Sequence, residues 1–151
     1  MKTLLIVFHT GGVKTAMMAE AVERGARAES GVTVIVKRCA DAGPDDLLAA
    51  DGLILGTPEN FGYMSGMMKD FLERVFYPCE GKVNGRPYAL FVGAGQDGAG
   101  AVNSVERIVT GLRLEKKSEP VIGLKELTPE VLVKCEELGA AFAAGLAMGV
   151  F

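Results

Sequence analysis

The chain has 151 residues, of which 49% are hydrophobic and 23% are charged, and its formal net charge is −3 at pH 7. This length and composition predict a single globular domain over residues 1–151, with enough apolar side chains for a buried core. The sequence contains no block of basic residues of the kind that would indicate a nucleic-acid partner. Three widely separated cysteines and one histidine argue against a disulfide framework and a zinc site, and they favour ordinary thiols in the cytoplasm.

The apolar stretches at the two ends of the chain are too short to cross a membrane. The first, MKTLLIVF, lacks a signal-peptide core and cleavage site. The second, LGAAFAAGLAMGVF, is shorter than the roughly 20 residues that a spanning helix needs. We therefore expect no membrane association. The tail is predicted to end a buried helix, and residues 139–151 are also a candidate contact between copies of the chain.

Five apolar or β-branched runs alternate with helical patterns along the chain. The predicted strands are 3–8, 32–38, 51–56, 86–93 and 118–124. The predicted helices are 14–30, 63–76, 101–112 and a last one from the cap Thr128 to about Ala147, with a short helical turn at 43–50. This alternation predicts an α/β fold with a parallel sheet and helices on both faces. Ligands of such sheets bind beyond the carboxyl ends of the strands, so the loops after strands one, three and four are candidate sites.

The loop after the first strand, FHTGGVKTAMMAE, has the composition of a phosphate cradle. It leads into a helix N-terminus, whose unpaired N–H groups attract anions. Two glycines allow close backbone approach, two threonines offer hydroxyls, and a lysine offers charge. The alternative is an ordinary strand-to-helix turn with threonine caps. The candidate residues are His9, Thr10, Gly11, Gly12, Val13, Lys14 and Thr15, with a positioning role for His9 because no acidic partner is evident.

The segment from residue 45 to 74, DDLLAADGLILGTPENFGYMSGMMKDFLER, resembles the flavodoxin-like NAD(P)H-dependent FMN reductases, including the WrbA-type quinone oxidoreductases. In that family, the pattern L-x-x-A-D-G, three apolar residues and G-[ST]-P precedes an aromatic-glycine loop and a Met-rich helix. The first loop is similar to the family's H-S-G-T-G-N-T. Thr10, Gly11 and Thr15 match that pattern, whereas Gly12, Val13 and Lys14 depart from it.

The resemblance covers nearly the whole chain and implies a flavodoxin-like three-layer sandwich. Its five-stranded parallel sheet would have the order 2-1-3-4-5, with FMN bound at the carboxyl edge. The loop after the third strand would hold the flavin ring, since Pro58 favours an extended exit from the strand and Phe61 or Tyr63 can lie against a flat ring. The alternative is a core loop whose aromatics fill a gap. The candidate residues are Thr57, Pro58, Glu59, Asn60, Phe61, Gly62, Tyr63 and Met64.

The loop after the fourth strand, GAGQDG, matches the dinucleotide fingerprint G-x-G-x-x-G. A true fingerprint lies in the first strand–helix–strand unit and is followed, about 20 residues on, by an acid at the end of the next strand. Neither condition is met here, so the loop is predicted to flank the flavin ring, with a plain flexible loop as the alternative. The candidate residues are Gly93, Ala94, Gly95, Gln96 and Asp97.

The resemblance implies an FMN-dependent oxidoreductase that passes electrons from NAD(P)H to a quinone or a similar small-molecule acceptor. No side chain is predicted to be catalytic, and no metal is predicted, because the cofactor carries the chemistry. The alternative is a flavodoxin-type electron carrier without substrate turnover of its own. A third class, a flavin-free binding module, would be favoured by the departures at Gly12 and Val13.

Overall fold

A mostly parallel sheet lies between two helical layers in the computed structural model, which describes residues 1–151. The strands are β1 (Lys2–Phe8), β2 (Val32–Arg38), β3 (Gly52–Asn60), β4 (Tyr63–Met64), β5 (Pro87–Ala94), β6 (Glu115–Lys116) and β7 (Val121–Leu124). They are ordered β2-β1-β3-β5, and β6 and β7 both pair with the outer side of β5. All these pairs are parallel, whereas β4 is antiparallel to β3.

The predicted strand order is confirmed, except that the fifth strand is divided into two short segments. Residues 117–120 interrupt it, so the predicted continuous strand 118–124 is wrong at its start. Pro120 lies in this interruption and has no N–H to donate to a ladder. β6 therefore pairs with the first residues of β5, and β7 pairs with the last four.

The two helical layers bury both faces of the central strands. The helices are α1 (Lys14–Arg27), α2 (Pro44–Ala49), α3 (Gly66–Cys79), α4 (Ala99–Gly111) and α5 (Pro129–Met148), with a 3₁₀ turn at Cys39–Asp41. In β1, Leu4 and Ile6 join the core with α1 and α5, while Leu5 and Val7 join the core with α3 and α4. The apolar run TLLIVF is thus buried on both sides, as predicted. No helix has both the length and the apolar character needed to span a membrane.

The predicted helix 63–76 is wrong at its start. Residues 63–76 were expected to be helical, but α3 begins at Gly66 because Ser65 caps it by accepting a hydrogen bond from the Met68 N–H at 3.2 Å. Tyr63 and Met64 instead pair with an extended β3. By contrast, α5 begins as predicted, with the Thr128 hydroxyl accepting from the Val131 N–H.

Two glycines allow α1 and α5 to touch through their backbones. A Cβ atom on Gly25 would lie 1.9 Å from the Glu136 carbonyl oxygen, and one on Gly139 would lie 2.0 Å from the Val22 carbonyl oxygen. Neither distance is possible for a real side chain, and backbone on both sides leaves nothing that can rotate away. The packing of this helical layer therefore requires glycine at both positions.

Replacement of Gly139 by alanine should destabilise the protein, because α1 and α5 must separate to admit the methyl group. We expect Gly139→Ala to lower the free energy of unfolding by about 1–3 kcal/mol, the usual cost of overpacking. Urea denaturation followed by circular dichroism measures this change. The matched control is Gly66→Ala in α3, where a Cβ meets nothing within 4 Å. Equal stabilities for the two variants would contradict the close-contact argument.

Candidate functional site

The loops after β1, β3 and β5 meet at the carboxyl edge of the sheet. Pro58 of β3 is the register partner of Gly93 in β5. The Thr15 hydroxyl oxygen lies 2.7 Å from the position of a Cβ on Gly93, so the first and third loops are in contact. The Glu59 carboxylate accepts a hydrogen bond from the Ala101 N–H at 3.2 Å, which joins the second loop to α4. The structure thus brings the three predicted segments together at one edge of the sheet, and we call the space between residues 9–15, 57–63 and 93–97 the crevice.

The first turn of α1 has no acceptor for its N–H groups. Val13, which precedes the helix, is 71% exposed and makes no capping hydrogen bond, and the turn contains no acidic residue. In α3, α4 and α5 the corresponding groups are satisfied by Ser65, Asp97 and Thr128. No protein group accepts from the backbone N–H groups of residues 13–16. The positive end of α1 is therefore open to an anion at the crevice.

The remainder of the first loop is shaped by threonines. The Thr10 hydroxyl donates to the Gly12 carbonyl at 2.6 Å, and its oxygen also lies within 3.3 Å of the Gly12 nitrogen. This contact closes a local turn. A Cβ on Gly11 or Gly12 would meet nothing within 4 Å, so the cradle faces open space. Thr15 is only 3% exposed, and its hydroxyl takes part in no hydrogen bond of the protein. That hydroxyl is available to a ligand at the helix N-terminus.

Lys14 points to the third loop instead of to the cradle. Its ammonium group donates to the Ala94 carbonyl at 2.8 Å and also to the Lys125 carbonyl. Lys125 has a φ of 52°, and its N–H donates to the same Ala94 carbonyl at 2.7 Å. Burial lowers the pKa of Lys14. In this structure Lys14 bridges the ends of β5 and β7, and its contact with a phosphate stays a prediction.

His9 is held by its backbone, and its side chain stays close to Arg38. The His9 N–H donates to the Gly56 carbonyl at 3.0 Å. Burial, and then the positive charge of Arg38, lower the pKa of the imidazole below its ordinary value of 6.5. No carboxylate forms an ion pair with His9. Both effects favour the neutral ring, and the positioning role of His9 stays a prediction.

The second loop forms a hairpin that projects from the edge of the sheet. β3 continues beyond its last pair with β5, and Glu59 and Asn60 pair with β4. The two turn residues, Phe61 and Gly62, have φ values of 55° and 69°, as in a type I′ turn. Phe61 occupies the left-handed region without being glycine, and its ring is fully exposed. The hairpin thus presents an aromatic ring at its tip, with Tyr63 half-exposed beside it.

Buried hydroxyl groups hold this hairpin in place. The Thr57 hydroxyl accepts from the Ser65 N–H at 3.0 Å and donates to the Pro58 carbonyl at 2.8 Å. The Ser104 hydroxyl of α4 accepts from the Met64 N–H at 3.0 Å. Neither Ser65 nor Ser104 is among the residues predicted from the sequence to form the site. Ser65 carries a recognisable signal, a serine directly before a helix, whereas no local pattern marks Ser104.

Two predicted binding residues have other tasks in the structure. Met64 is 2% exposed and packs in the core with α3 and α4, and its contact with the flavin stays a prediction. The Asp97 carboxylate accepts from the Ala99 N–H at 3.0 Å and caps α4. Gly93 and Ala94 are buried in β5, while Gly95 and Gln96 are exposed. Gly98, with a φ of 78°, begins α4, so GAGQDG is a strand end, an open loop and a helix cap.

The cysteines lie in the core. All three are unpaired, and burial raises the pKa of Cys39 to about 12 and that of Cys135 to about 11.

A polar concavity of about 230 Å³ lies at the opposite edge of the sheet, beside Lys2 and Arg86. The Arg86 guanidinium there donates to the last carbonyl groups around α2, which is a structural task. Neither the thiols nor this concavity compete with the crevice as the main site.

The strand order, the open N-terminus of α1 and the aromatic hairpin after β3 define a flavodoxin-like protein. The structure of a flavodoxin from the domain Archaea superposes with a TM-score of 0.83 at 21% identity, covering 95% of this chain and 98% of that one. A WrbA-like flavodoxin from Agrobacterium tumefaciens superposes with a TM-score of 0.74 at 21% identity, covering 99% of both chains. At these identities the similarity establishes the fold.

The family follows from the sequence match. The model of the NADPH-dependent FMN reductase family matches residues 40–115, and the chain belongs to this family. A protein named flavodoxin from Aquifex aeolicus is 35% identical over 74% of this chain and 60% of its own length. An NAD(P)H dehydrogenase (quinone) from Acidithiobacillus ferrooxidans is 34% identical over 61% of this chain and 56% of its own length. The matches thus span less than two thirds of either relative, and the predicted resemblance is confirmed.

The crevice fits FMN, the cofactor in the family's name. An organic phosphate suits the open N–H groups of α1 and the unpaired hydroxyl of Thr15. A flat aromatic ring suits the exposed Phe61 and the exposed residues Gly95 and Gln96, and a Cβ on Gly95 would meet nothing within 4 Å. Both ends of the cofactor therefore have matching groups at one edge of the sheet.

The single histidine of the chain offers a direct probe of the crevice. We expect proton NMR to report a His9 pKa below 6.5, because burial and Arg38 both disfavour the imidazolium. Removal of the charge in Arg38→Gln should raise this pKa part of the way toward 6.5. The control Arg24→Gln changes a residue in the last turn of α1 and should leave the pKa of His9 unchanged. The unfolded chain binds this proton more readily than the folded one. Protonation of His9 therefore lowers the free energy of unfolding as the pH falls through 6.5. A pKa above 6.5 would contradict the described environment.

Proposed function

We propose that the chain binds FMN in the crevice, with the phosphate at residues 10–15 and the flavin ring between residues 57–63 and 93–97. The uncapped first turn of α1 carries this proposal. It is the one helix of eight or more residues whose N-terminal N–H groups lack a side-chain acceptor, and it begins at the same edge of the sheet as the aromatic hairpin. Buried hydroxyl groups of Thr57 and Ser104 hold that hairpin.

We further propose that the protein passes electrons from NAD(P)H to a quinone or a similar small acceptor. When bound, FMN supplies the chemistry, since flavins accept a hydride and pass electrons on. The residues around it bind and orient it. No acid–base pair faces the crevice, because His9 has no carboxylate partner and Glu59 and Asp97 are engaged as caps of α4. This arrangement is consistent with a reaction in which no side chain is catalytic.

The second candidate function is that of an electron carrier without its own turnover. The relative from Aquifex aeolicus named flavodoxin favours it, and so does the fully exposed Phe61, which a protein partner could contact. Against it stands the weak net charge of −3, since carriers that dock by complementary charge are expected to be more acidic. The two functions share the crevice and differ only in the use of NAD(P)H.

Contacts between copies of the chain and a location in the cytoplasm are also part of the proposal. Met148 and Val150 at the end of the chain are exposed, although Phe142 and Leu146 of the same segment are buried. The exposed pair is the apolar surface that such a contact would cover.

Turnover decides between the reductase and the carrier. We expect the protein loaded with FMN to oxidise NADPH or NADH when 1,4-benzoquinone is present. The loss of absorbance of the reduced nicotinamide at about 340 nm follows this reaction. Free FMN at the same concentration is the control. If the yellow protein oxidises neither nucleotide faster than free FMN does, the carrier function stands and the reductase function falls.

A carboxylate at the N-terminus of α1 should block the phosphate site without harm to the fold. Val13 is exposed, so Val13→Asp can fold, and its charge should stabilise the helix end by about 0.3–1 kcal/mol. The same charge would repel the phosphate, and we expect FMN affinity to fall about tenfold or more. Quenching of flavin fluorescence measures this affinity.

Two controls separate charge from shape in that experiment. Val13→Asn has the shape of the aspartate variant without its charge and should retain most of the affinity. Riboflavin lacks the phosphate, so its weaker binding should be equal in the aspartate and asparagine variants. An FMN affinity that is the same in Val13→Asp and Val13→Asn would place the phosphate elsewhere.

A further inference from the structure

A groove lined by charged, polar and apolar side chains leads away from the crevice between α3 and α4. Its volume is about 530 Å³, within the range of small-molecule sites. It begins beside the hairpin, at Tyr63 and Gly100, and runs along α4. The side chains that line it are those of Tyr63, Lys69, Asn103, Ser104, Arg107 and Ile108.

The groove ends at a cation that has no partner. Arg107 is exposed and takes part in no ion pair or side-chain hydrogen bond of the protein. Lys69, across the groove on α3, lies 3.8 Å from the Glu73 carboxylate, the only ion pair it makes. An unpaired guanidinium next to a loosely paired ammonium is a ready site for a dianionic group, and arginine suits phosphate in particular because it can donate two parallel hydrogen bonds.

The other carboxylates of these two helices are engaged elsewhere. Asp70 of α3 pairs with Arg74 at 2.8 Å. Glu106 of α4 pairs with Lys116 at 3.3 Å and accepts from the Tyr88 hydroxyl at 3.3 Å. Asp70, Glu73 and Glu106 are the only acidic residues of α3 and α4. The groove therefore carries a net positive charge in a protein whose overall charge is negative.

We propose that this groove binds the adenosine end of NADPH and that Arg107, assisted by Lys69, holds its 2′-phosphate. The inference rests on the proposed function, which places the nicotinamide at the flavin in the crevice. Gly100 lies at the crevice, and Arg107 is about 10 Å farther along α4 at 1.5 Å per residue. A dinucleotide whose reactive ring lies in the crevice would extend along the groove and bring its far end to Arg107. Arg107 is thus a specificity-determining residue that distinguishes NADPH from NADH.

Nucleotide binding to the protein loaded with FMN tests this assignment. Calorimetric titration gives Kd for NADP⁺ and NAD⁺ without turnover, and initial rates with neutral 1,4-benzoquinone give KM for NADPH and NADH. In Arg107→Gln we expect Kd for NADP⁺ and KM for NADPH to rise about tenfold or more, the usual effect of losing a charge-assisted contact. The values for NAD⁺ and NADH, kcat and the affinity for FMN should stay unchanged. Lys69→Gln should act in the same direction, more weakly.

The matched control is Lys134→Gln, which removes one positive charge from α5 on the opposite face of the sheet. If Arg107→Gln and Lys134→Gln have equal NADP⁺ affinity, the assignment of the groove is wrong while the proposed reductase function stands. A change in the KM of benzoquinone instead of NADPH would also overturn it, because the groove would then serve the acceptor. If the wild-type protein holds no FMN, the proposed function falls separately. The NADP⁺ titration still decides the groove, since a failure to bind NADP⁺ in preference to NAD⁺ overturns it.

Discussion

Parallel pairing of β1, β3 and β5 is the constraint on which the rest of the structure depends. Because these strands run in one direction, the loops that follow them open at a single edge of the sheet. α1 and α4 begin at the same edge, so the positive ends of both helices face it. The strands themselves are buried on both faces, and the groups able to meet a ligand are therefore concentrated at their carboxyl ends. The crevice is a consequence of topology before it is a consequence of any one side chain.

The residues around the crevice divide into those that build it and those that remain open. Glu59 and Asp97 satisfy the first turn of α4, and the Thr57 hydroxyl holds the entry to α3. These polar groups already form hydrogen bonds within the protein. The N–H groups in the first turn of α1 have no partner, and the ring of Phe61 packs against nothing, although an uncapped helix end and a left-handed phenylalanine both cost free energy. Such unsatisfied features are expected where a protein binds a ligand.

Lys14 shows how a departure from the family's phosphate-loop pattern is absorbed. Its side chain is long enough to leave the first loop and bind the carbonyl groups at the ends of β5 and β7, so it joins three segments of the crevice edge. The positive end of α1, by contrast, is made of backbone groups and does not depend on the residue at position 14. The two proposals are also separable, since we assign FMN to the crevice and the adenosine end of the nicotinamide nucleotide to the groove beside it.

The resemblance to the family implied the order of the sheet. The patterns in the sequence by themselves determined the parallel sheet, the two helical layers and the three candidate loops. Periodicity suffices for this because runs such as TLLIVF can be buried only as central strands, and alternating strands and helices allow few topologies. The tertiary structure alone decided where β3 ends and which polar groups are free. Met64 lies four residues before Met68 and fits a helical pattern, yet its N–H binds Ser104, 40 residues away. Lys14 likewise binds Ala94 across 80 residues. Local pattern cannot encode such contacts, because they depend on how distant elements pack together.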